Sequence, residues 1–98
     1  MKRENYIAAE KFCAGYNIEI SFLEKLSENG LIHLGKSEGV LYIEEEQLSS
    51  IERILRLYFD LGINLEGIET ILDLLERTRL LEEEIDLLRN RLRLYENI

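Results

Sequence analysis

The side chains that could carry chemistry in this 98-residue chain are twenty carboxylates, one cysteine and one histidine. No histidine accompanies Cys13, so we expect a buried structural thiol rather than an activated nucleophile. His33 has no second imidazole with which to share a zinc ion, and we expect it at the edge of a strand. The chain contains no Ser/His/Asp or Cys/His set and no phosphate-binding glycine loop. We therefore expect no enzyme activity, no cofactor, no metal and no small-molecule ligand.

The carboxylates instead suggest recognition by charge. The net charge is −8, and no basic patch interrupts it. Nucleic-acid affinity depends mainly on neutralised phosphates, so nucleic acid is an unlikely partner and a basic protein is the expected one. No apolar run approaches 18 residues and no secretory signal is evident, so neither a membrane span nor export is expected. A single cysteine fits a reducing compartment, and the expected location is cytoplasmic.

Four helices and a hairpin are needed to position these groups. Apolar spacing predicts a short helix over residues 8–14, ended by Gly15, and a second over residues 20–28. Two short apolar runs, at 31–34 and 40–43, surround a polar turn flanked by glycines. This pattern indicates a β-hairpin, and after a helix-turn-helix such a hairpin is a wing.

The third helix is predicted to begin at Glu44 and to end near Leu61, with Gly62 as its left-handed terminator. Asn64 is a plausible N-cap for a long fourth helix that ends near Tyr95. We therefore predict two domains: a winged helix-turn-helix-like domain over residues 1–63 and a long coiled-coil helix over residues 64–98.

The long helix carries an apolar residue at two positions of each seven, interrupted only at Thr78. A seven-residue repeat keeps one seam against a partner helix, so we expect a homodimer. The predicted dimerisation residues are Ile71, Leu74, Leu81, Ile85, Leu88 and Leu92.

The charges beside this seam favour a parallel pair without deciding against an antiparallel one, because exposed ion pairs contribute little. Leu80, Leu87 and Leu94 form a second stripe that a bare two-stranded coil would expose. A wide interface within one homo-oligomer is the main explanation. The N-terminal domain, another helix or a different protein are the alternatives.

The expected partner-binding residues are acidic and lie outside the seam. Tyr58 is a possible aromatic anchor among them, and a core position is equally compatible with its spacing. The acidic candidates are Glu44, Glu45, Glu46 and Asp60 on the third helix, with Glu66, Glu69 and Asp73 at the start of the fourth.

This order of elements resembles the MerR family of winged-helix regulators. Gly30-Leu31-Ile32 is similar to the "GLI" after that family's recognition helix, and Val40-Leu41-Tyr42 falls where its wing has "RxY". Residues 62–68 resemble the step into its fourth helix. The resemblance implies a mainly α fold: a winged helix-turn-helix with a small β-hairpin wing, followed by a long C-terminal dimerisation helix, usually paired antiparallel.

The departures from the family pattern affect DNA binding. The family's "RYYE" stretch reads Glu24-Lys25-Leu26-Ser27 here, so a phosphate-binding arginine has become a glutamate. The wing arginine has become Val40. Each lost phosphate contact weakens DNA binding, which suggests a scaffold that no longer binds DNA.

Within that scaffold the chain resembles the small CbpM family of chaperone modulatory proteins. Phe12-Cys13 and the leucine- and arginine-rich segment 87–92 carry the match, together with length and acidity. The resemblance implies a bacterial cytoplasmic protein that binds the J-domain of a DnaJ-like (CbpA-like) co-chaperone and keeps it from Hsp70. The alternatives are a MerR-family transcriptional regulator that binds DNA as a dimer, and an adaptor for some other protein.

Overall fold

A computed structural model describes residues 5–97, and the chain divides into two compact units after Leu65. The first unit combines three short strands with three helical segments, and the second is one long helix. This architecture confirms the predicted mainly α, winged helix-turn-helix fold. The elements are β1 (Tyr6–Ala8), α1 (Ala9–Tyr16), α2 (Ile20–Glu28), β2 (Gly35–Ser37), β3 (Val40–Glu44), a 3-10 turn (Glu45–Gln47), α3 (Leu48–Leu55), a π turn (Arg56–Asp60) and α4 (Leu65–Glu96).

The wing is an antiparallel three-stranded sheet in the order β1-β3-β2, with β3 in the centre. The predicted first hairpin strand at 31–34 is wrong, since the strand that pairs with β3 is Gly35–Ser37. Glu38 and Gly39, with φ of 51° and 78°, close a two-residue turn immediately before Val40. Such turns require positive φ at both central residues, a conformation that glycine adopts readily. The turn therefore forms at Glu38 and Gly39, and the residues just before it, Gly35–Ser37, pair with β3.

Neither β1 nor the fate of the first apolar run was predicted. β1 has three residues, which is too short for a pattern of alternation to be visible. It pairs with the far side of β3, with Tyr6 opposite Glu44. The run at 31–34 is a loop whose Ile32 is buried, so its apolar character serves the core and not a strand.

The helix-turn-helix is close to the prediction. α2 matches it, whereas α1 starts one residue later and ends two residues later than expected. Gly15 lies inside α1, and the terminating residue is Asn17, whose φ is 56°. The backbone N–H of Ile18 donates to the carbonyl of Cys13 at 3.0 Å and completes this terminus. Asparagine tolerates the left-handed conformation, so it can replace glycine there.

The third helical stretch begins later than the sequence predicted. Glu44 is the last residue of β3 and not the first of the helix, and α3 begins only at Leu48, after the 3-10 turn. At the other end the backbone N–H of Leu61 donates to the carbonyl of Arg56 at 3.1 Å, five residues back. Gly62 follows with φ of 67°, as predicted for a terminating glycine.

The core of the first unit is apolar and contains the cysteine. Cys13 is 5% exposed, which confirms the expected buried thiol. Burial, and next the nearby Glu10 carboxylate, raise the pKa of this thiol above its ordinary value. The other buried side chains of this unit are Ala9, Phe12, Leu23, Leu26, Ile32, Ile43, Ile51, Ile54 and Leu55.

The second unit is a 32-residue helix, as predicted from its apolar period. At 1.5 Å per residue, α4 is about 48 Å long. Ile68 is its buried residue, and most of its other large apolar side chains are exposed. Within residues 5–97 no helix combines the length and the apolar character that a bilayer crossing demands.

Candidate functional site

The exposed face of α2 is acidic. Leu23 and Leu26 are buried in the core and Phe22 is half-buried, whereas the charged residues of the helix are exposed. Glu19 at its N-cap position, Glu24 and Glu28 are exposed, and Lys25 is the one cation among them. The hydroxyl of Ser21 donates to the Glu19 carboxylate at 3.3 Å. This face therefore presents three negative charges against one positive charge where a DNA-binding relative would need net positive charge.

The tip of the wing offers little to an anionic partner. Val40, at the position where the resembled family has an arginine, is 41% exposed at the start of β3. Glu38 occupies the turn beside it, and Lys36 is the exposed cation of β2. An apolar side chain and a carboxylate at the tip cannot neutralise phosphates.

The acidic candidates of the first unit do not form one patch along the third helical stretch. Glu45 and Glu46 are exposed in the 3-10 turn at its start, whereas Asp60 is exposed in the π turn at its end. Fifteen residues separate Glu45 from Asp60, which is about 22 Å at a helical rise of 1.5 Å per residue. A partner that contacts one end therefore does not reach the other without spanning the helix.

The acidic candidates of the second unit share a face of their own helix. Glu66, Glu69 and Asp73 are exposed and stand three and four residues apart in α4. That spacing places them on one side of a helix. They form a compact negative stripe within the second unit.

Tyr58 lies half-buried in an aromatic cluster that sequence reasoning missed. Its ring centroid is 4.9 Å from that of Phe22 in α2 and 5.0 Å from that of Phe59. Phe59 is 54% exposed, so the cluster has an open side. Tyr58 thus packs α2 against the π turn while its neighbour remains available to solvent. The adjacent Phe59 was the sequence signal that could have indicated an exposed aromatic pair.

A pocket of about 340 Å³ opens on the outer face of the sheet. Tyr6, Tyr42 and Glu44 line it from β1 and β3, and Lys36 lies on the β2 side. Sequence reasoning missed it because it depends on β1. No group of three or more histidine, cysteine, aspartate or glutamate side chains in the described part of the chain is arranged to hold a metal.

His33 also lines this pocket, but it lies in a loop and not at the strand edge where we expected it. Gln47 holds its peptide group from both sides. The backbone N–H of His33 donates to Gln47 Oε1, and Gln47 Nε2 donates to the carbonyl of His33, each at 2.7 Å. This pair of hydrogen bonds ties the loop before the wing to the 3-10 turn after it.

The predicted seam of α4 is open to solvent. Ile71 is half-buried, and the other five seam residues have between 47% and 59% of their surface exposed. On another face Arg79 forms ion pairs with Glu76 at 2.6 Å and with Glu83 at 2.5 Å. The hydrogen bonds from Arg79 lower the pKa of the Glu76 carboxyl. The second stripe is also exposed, with Leu80 at 50%, Leu87 at 51% and Leu94 at 70%.

The fold is that of a winged helix-turn-helix protein. A family model described as the MerR HTH family regulatory protein matches residues 7–90. The chain belongs to this family, since the match covers most of its length. Comparison with curated proteins and with solved structures found no match.

Proposed function

We propose that this MerR-family chain is a chaperone modulator that binds the J-domain of a DnaJ-like co-chaperone and blocks its work with Hsp70. The supporting observation is the exposed face of α2, which carries three glutamates and one lysine. In a DNA-binding member of the family this helix enters the major groove. A helix with net negative charge is repelled by the phosphates and is complementary to a basic protein surface.

The resemblance to the CbpM family supplies the identity of the basic partner. J-domains present a positively charged helix to Hsp70, and an acidic surface competes for that helix. Rim charges of this kind act mainly on the association rate and lose strength with added salt. The first unit has two acidic surfaces, one on α2 and one at Glu44, Glu45 and Glu46. Both carry the negative charge that binding a basic helix requires.

The proposed working form is a homodimer joined through α4. An isolated α4 exposes many leucines to solvent, and large exposed apolar patches of this kind mark interaction sites. The five open seam residues and the half-buried Ile71 repeat with the period of a coiled coil. Ion pairs on another face give α4 a polar side to present to solvent.

A second function is favoured by the family match itself. MerR-family regulators bind DNA as dimers, and the family model is described as a regulatory protein. This function requires α2 and the wing to meet phosphates despite Glu24 and Val40. It predicts tight, sequence-specific binding to the chain's own promoter at physiological salt.

Calorimetry with the host's J-domain at two salt concentrations tests the proposal. We expect binding that weakens with salt, and a gel shift with promoter DNA that stays negative. If this end of the first unit contacts the J-domain, the triple reversal lowers the affinity for the J-domain. Its three changes are Glu44→Lys, Glu45→Lys and Glu46→Lys. The reversal Glu66→Lys, Glu69→Lys and Asp73→Lys makes the same change in charge on α4 and serves as the matched comparison.

The outcomes separate the candidates. No J-domain binding together with a specific DNA complex establishes the regulator and refutes the modulator. Binding that neither salt nor either reversal weakens refutes the electrostatic contact, and the stripe of Leu80, Leu87 and Leu94 then becomes the better candidate.

A further inference from the structure

The pocket on the outer face of the wing combines two aromatic rings with a carboxylate. Tyr6 stands directly opposite Glu44 in the β1–β3 register, so both side chains lie on one face of the sheet. Tyr42 lies two residues before Glu44 on β3, and side chains two apart share a face. All three side chains are half-buried, so they form walls and not an exposed tip.

The floor of the pocket is open because β2 contributes a glycine there. Gly35 pairs with Tyr42, and a Cβ placed on Gly35 would approach only the Tyr42 carbonyl oxygen, at 3.8 Å. Any larger side chain at this position would extend over the face that holds the two tyrosines. The glycine thus leaves the space of about 340 Å³ that the tyrosines border.

The polar groups of the pocket have unmet capacity. Within residues 5–97 the Glu44 carboxylate accepts no hydrogen bond and forms no ion pair, and the rings of Tyr6 and Tyr42 contact no other ring. A half-buried carboxylate without a partner loses hydration that a bound cation would replace. The aromatic faces attract the same cation through their quadrupoles.

We infer that this pocket takes the guanidinium group of an arginine presented by a basic partner protein, with Glu44 as the ion-pair partner and Tyr6 and Tyr42 as the stacking walls. A planar guanidinium stacks on aromatic rings and binds a carboxylate through two parallel hydrogen bonds, which an ammonium cannot do. The inference rests on the proposed function in that the partner is a basic protein.

Two other groups line the pocket and set its limits. Lys36 pairs with Leu41, so its side chain belongs to the face of the sheet opposite to that of Tyr42 and Glu44. His33 lies in the loop that Gln47 holds in place.

The first test uses a pentapeptide with one central arginine between glycines, titrated into the full chain and followed by NMR. The controls are the same peptide with lysine or with uncharged citrulline. We expect shifts in the ring signals of Tyr6 and Tyr42 that are largest for arginine and absent for citrulline. Equal shifts for all three peptides, or none at all, overturn the inference.

Matched variants localise the effect. Glu44→Gln and Glu46→Gln remove the same charge two residues apart, but only Glu44 lines the pocket. For the arginine peptide we expect Glu44→Gln to lower the affinity about 10-fold, because it removes a charge-assisted hydrogen bond. We expect Glu46→Gln to lower it less than about 2-fold, because Glu46 acts only as a nearby charge that salt screens. Equal losses for the two glutamates contradict the assignment.

Gly35→Val fills the pocket without changing its charge. Its circular dichroism and thermal unfolding show whether the variant folds, and a folded variant that still binds the peptide overturns the inference. The J-domain then separates this inference from the proposed function. Unchanged J-domain affinity in Glu44→Gln refutes the pocket as its arginine site but leaves the modulator intact. Peptide binding without J-domain binding refutes the modulator but leaves the pocket intact as an arginine site.

Discussion

The two units of the chain treat their apolar residues in opposite ways. The first unit buries ten of them in a shared core, with Leu23, Ile51 and Ile54 wholly inaccessible to solvent. The 32-residue helix of the second unit buries Ile68 and leaves Leu81, Ile85, Leu88 and most of its other leucines about half exposed. Similar residue types therefore have different tasks: in the first unit they fold the chain, and in α4 they are available to a partner.

The charges differ in the same way. Most exposed acidic residues of the first unit lie on α2 and in the 3-10 turn, with Glu10, Glu38 and Asp60 elsewhere, and a single cation lies on the acidic face of α2. α4 carries residues of both signs, and Arg79 pairs with Glu76 and Glu83. A surface of one sign favours a partner of opposite sign, whereas mixed pairs keep a helix soluble and contribute little else.

The largest expected effect comes from breaking the core of the first unit. Leu23→Ala removes a fully buried side chain from α2, and we expect the free energy of unfolding to fall by about 2–5 kcal/mol. Leu80→Ala makes the same chemical change at a residue that is 50% exposed in α4. Urea unfolding followed by circular dichroism measures both. A cost for Leu80→Ala equal to that for Leu23→Ala would mean that this stripe is a core element in the working form.

The second prediction breaks the other unit. Ile85→Lys with Leu88→Lys places two charges in the proposed seam, where a dimer could neither solvate nor pair them. We expect monomers in sedimentation velocity, with the first unit still folded. Glu83→Lys with Asp86→Lys introduces the same residues off the seam and leaves the dimer intact. A wild-type chain that sediments as a monomer at micromolar concentration refutes the homodimer.

The third prediction exchanges the sign of the acidic face. Glu24→Arg with Val40→Arg places cations at the two positions where the family has them. We expect DNA affinity to appear at low salt, with a dependence on salt that steepens by up to about 0.9 in slope per new phosphate contact. Fluorescence anisotropy with a random duplex measures it, and Asp86→Arg with Leu94→Arg makes the same charge change on α4. Tight binding by the unaltered chain would contradict the acidic-face argument.

Periodicity predicted the parts of the fold that depend on long repeating patterns. α2 and α4 were placed within a residue or two, because their apolar residues recur over several turns. The glycine at Gly62 was also informative, since a positive φ at a helix end favours glycine. The heptad seam was visible for the same reason.

The misses have a common cause in short or non-local structure. β1 has three residues and pairs with a strand 34 to 38 residues further along the chain, so no local pattern indicates it. Without β1, neither the partner of Glu44 in the sheet nor the pocket beside Tyr6 could be predicted. The apolar run ending at Leu34 suggested a strand, but Ile32 is in the core and the turn at Glu38 and Gly39 sets the register.

The smallest expected effect concerns the buried thiol of the first unit, for which α4 has no counterpart. Burial and the Glu10 carboxylate raise the folded-state pKa of Cys13 above its value in the unfolded chain. The folded state therefore holds the thiol proton more tightly. The resulting stability is fully present below the unfolded pKa of about 8.5 and is lost as the pH rises through the folded-state pKa.

Urea unfolding between pH 8 and pH 10 measures this loss, with Cys13→Ala as the control that cannot titrate there. We expect stability to fall more steeply with pH in the unaltered chain than in Cys13→Ala. The comparison between the two proteins is necessary because the pKa of Tyr16 is also raised, chiefly by the hydrogen bond its hydroxyl donates to Glu52, and acts in the same direction. Parallel pH profiles would show that Cys13 is as accessible to hydroxide in the folded unit as in the unfolded chain, and would contradict its place in the core.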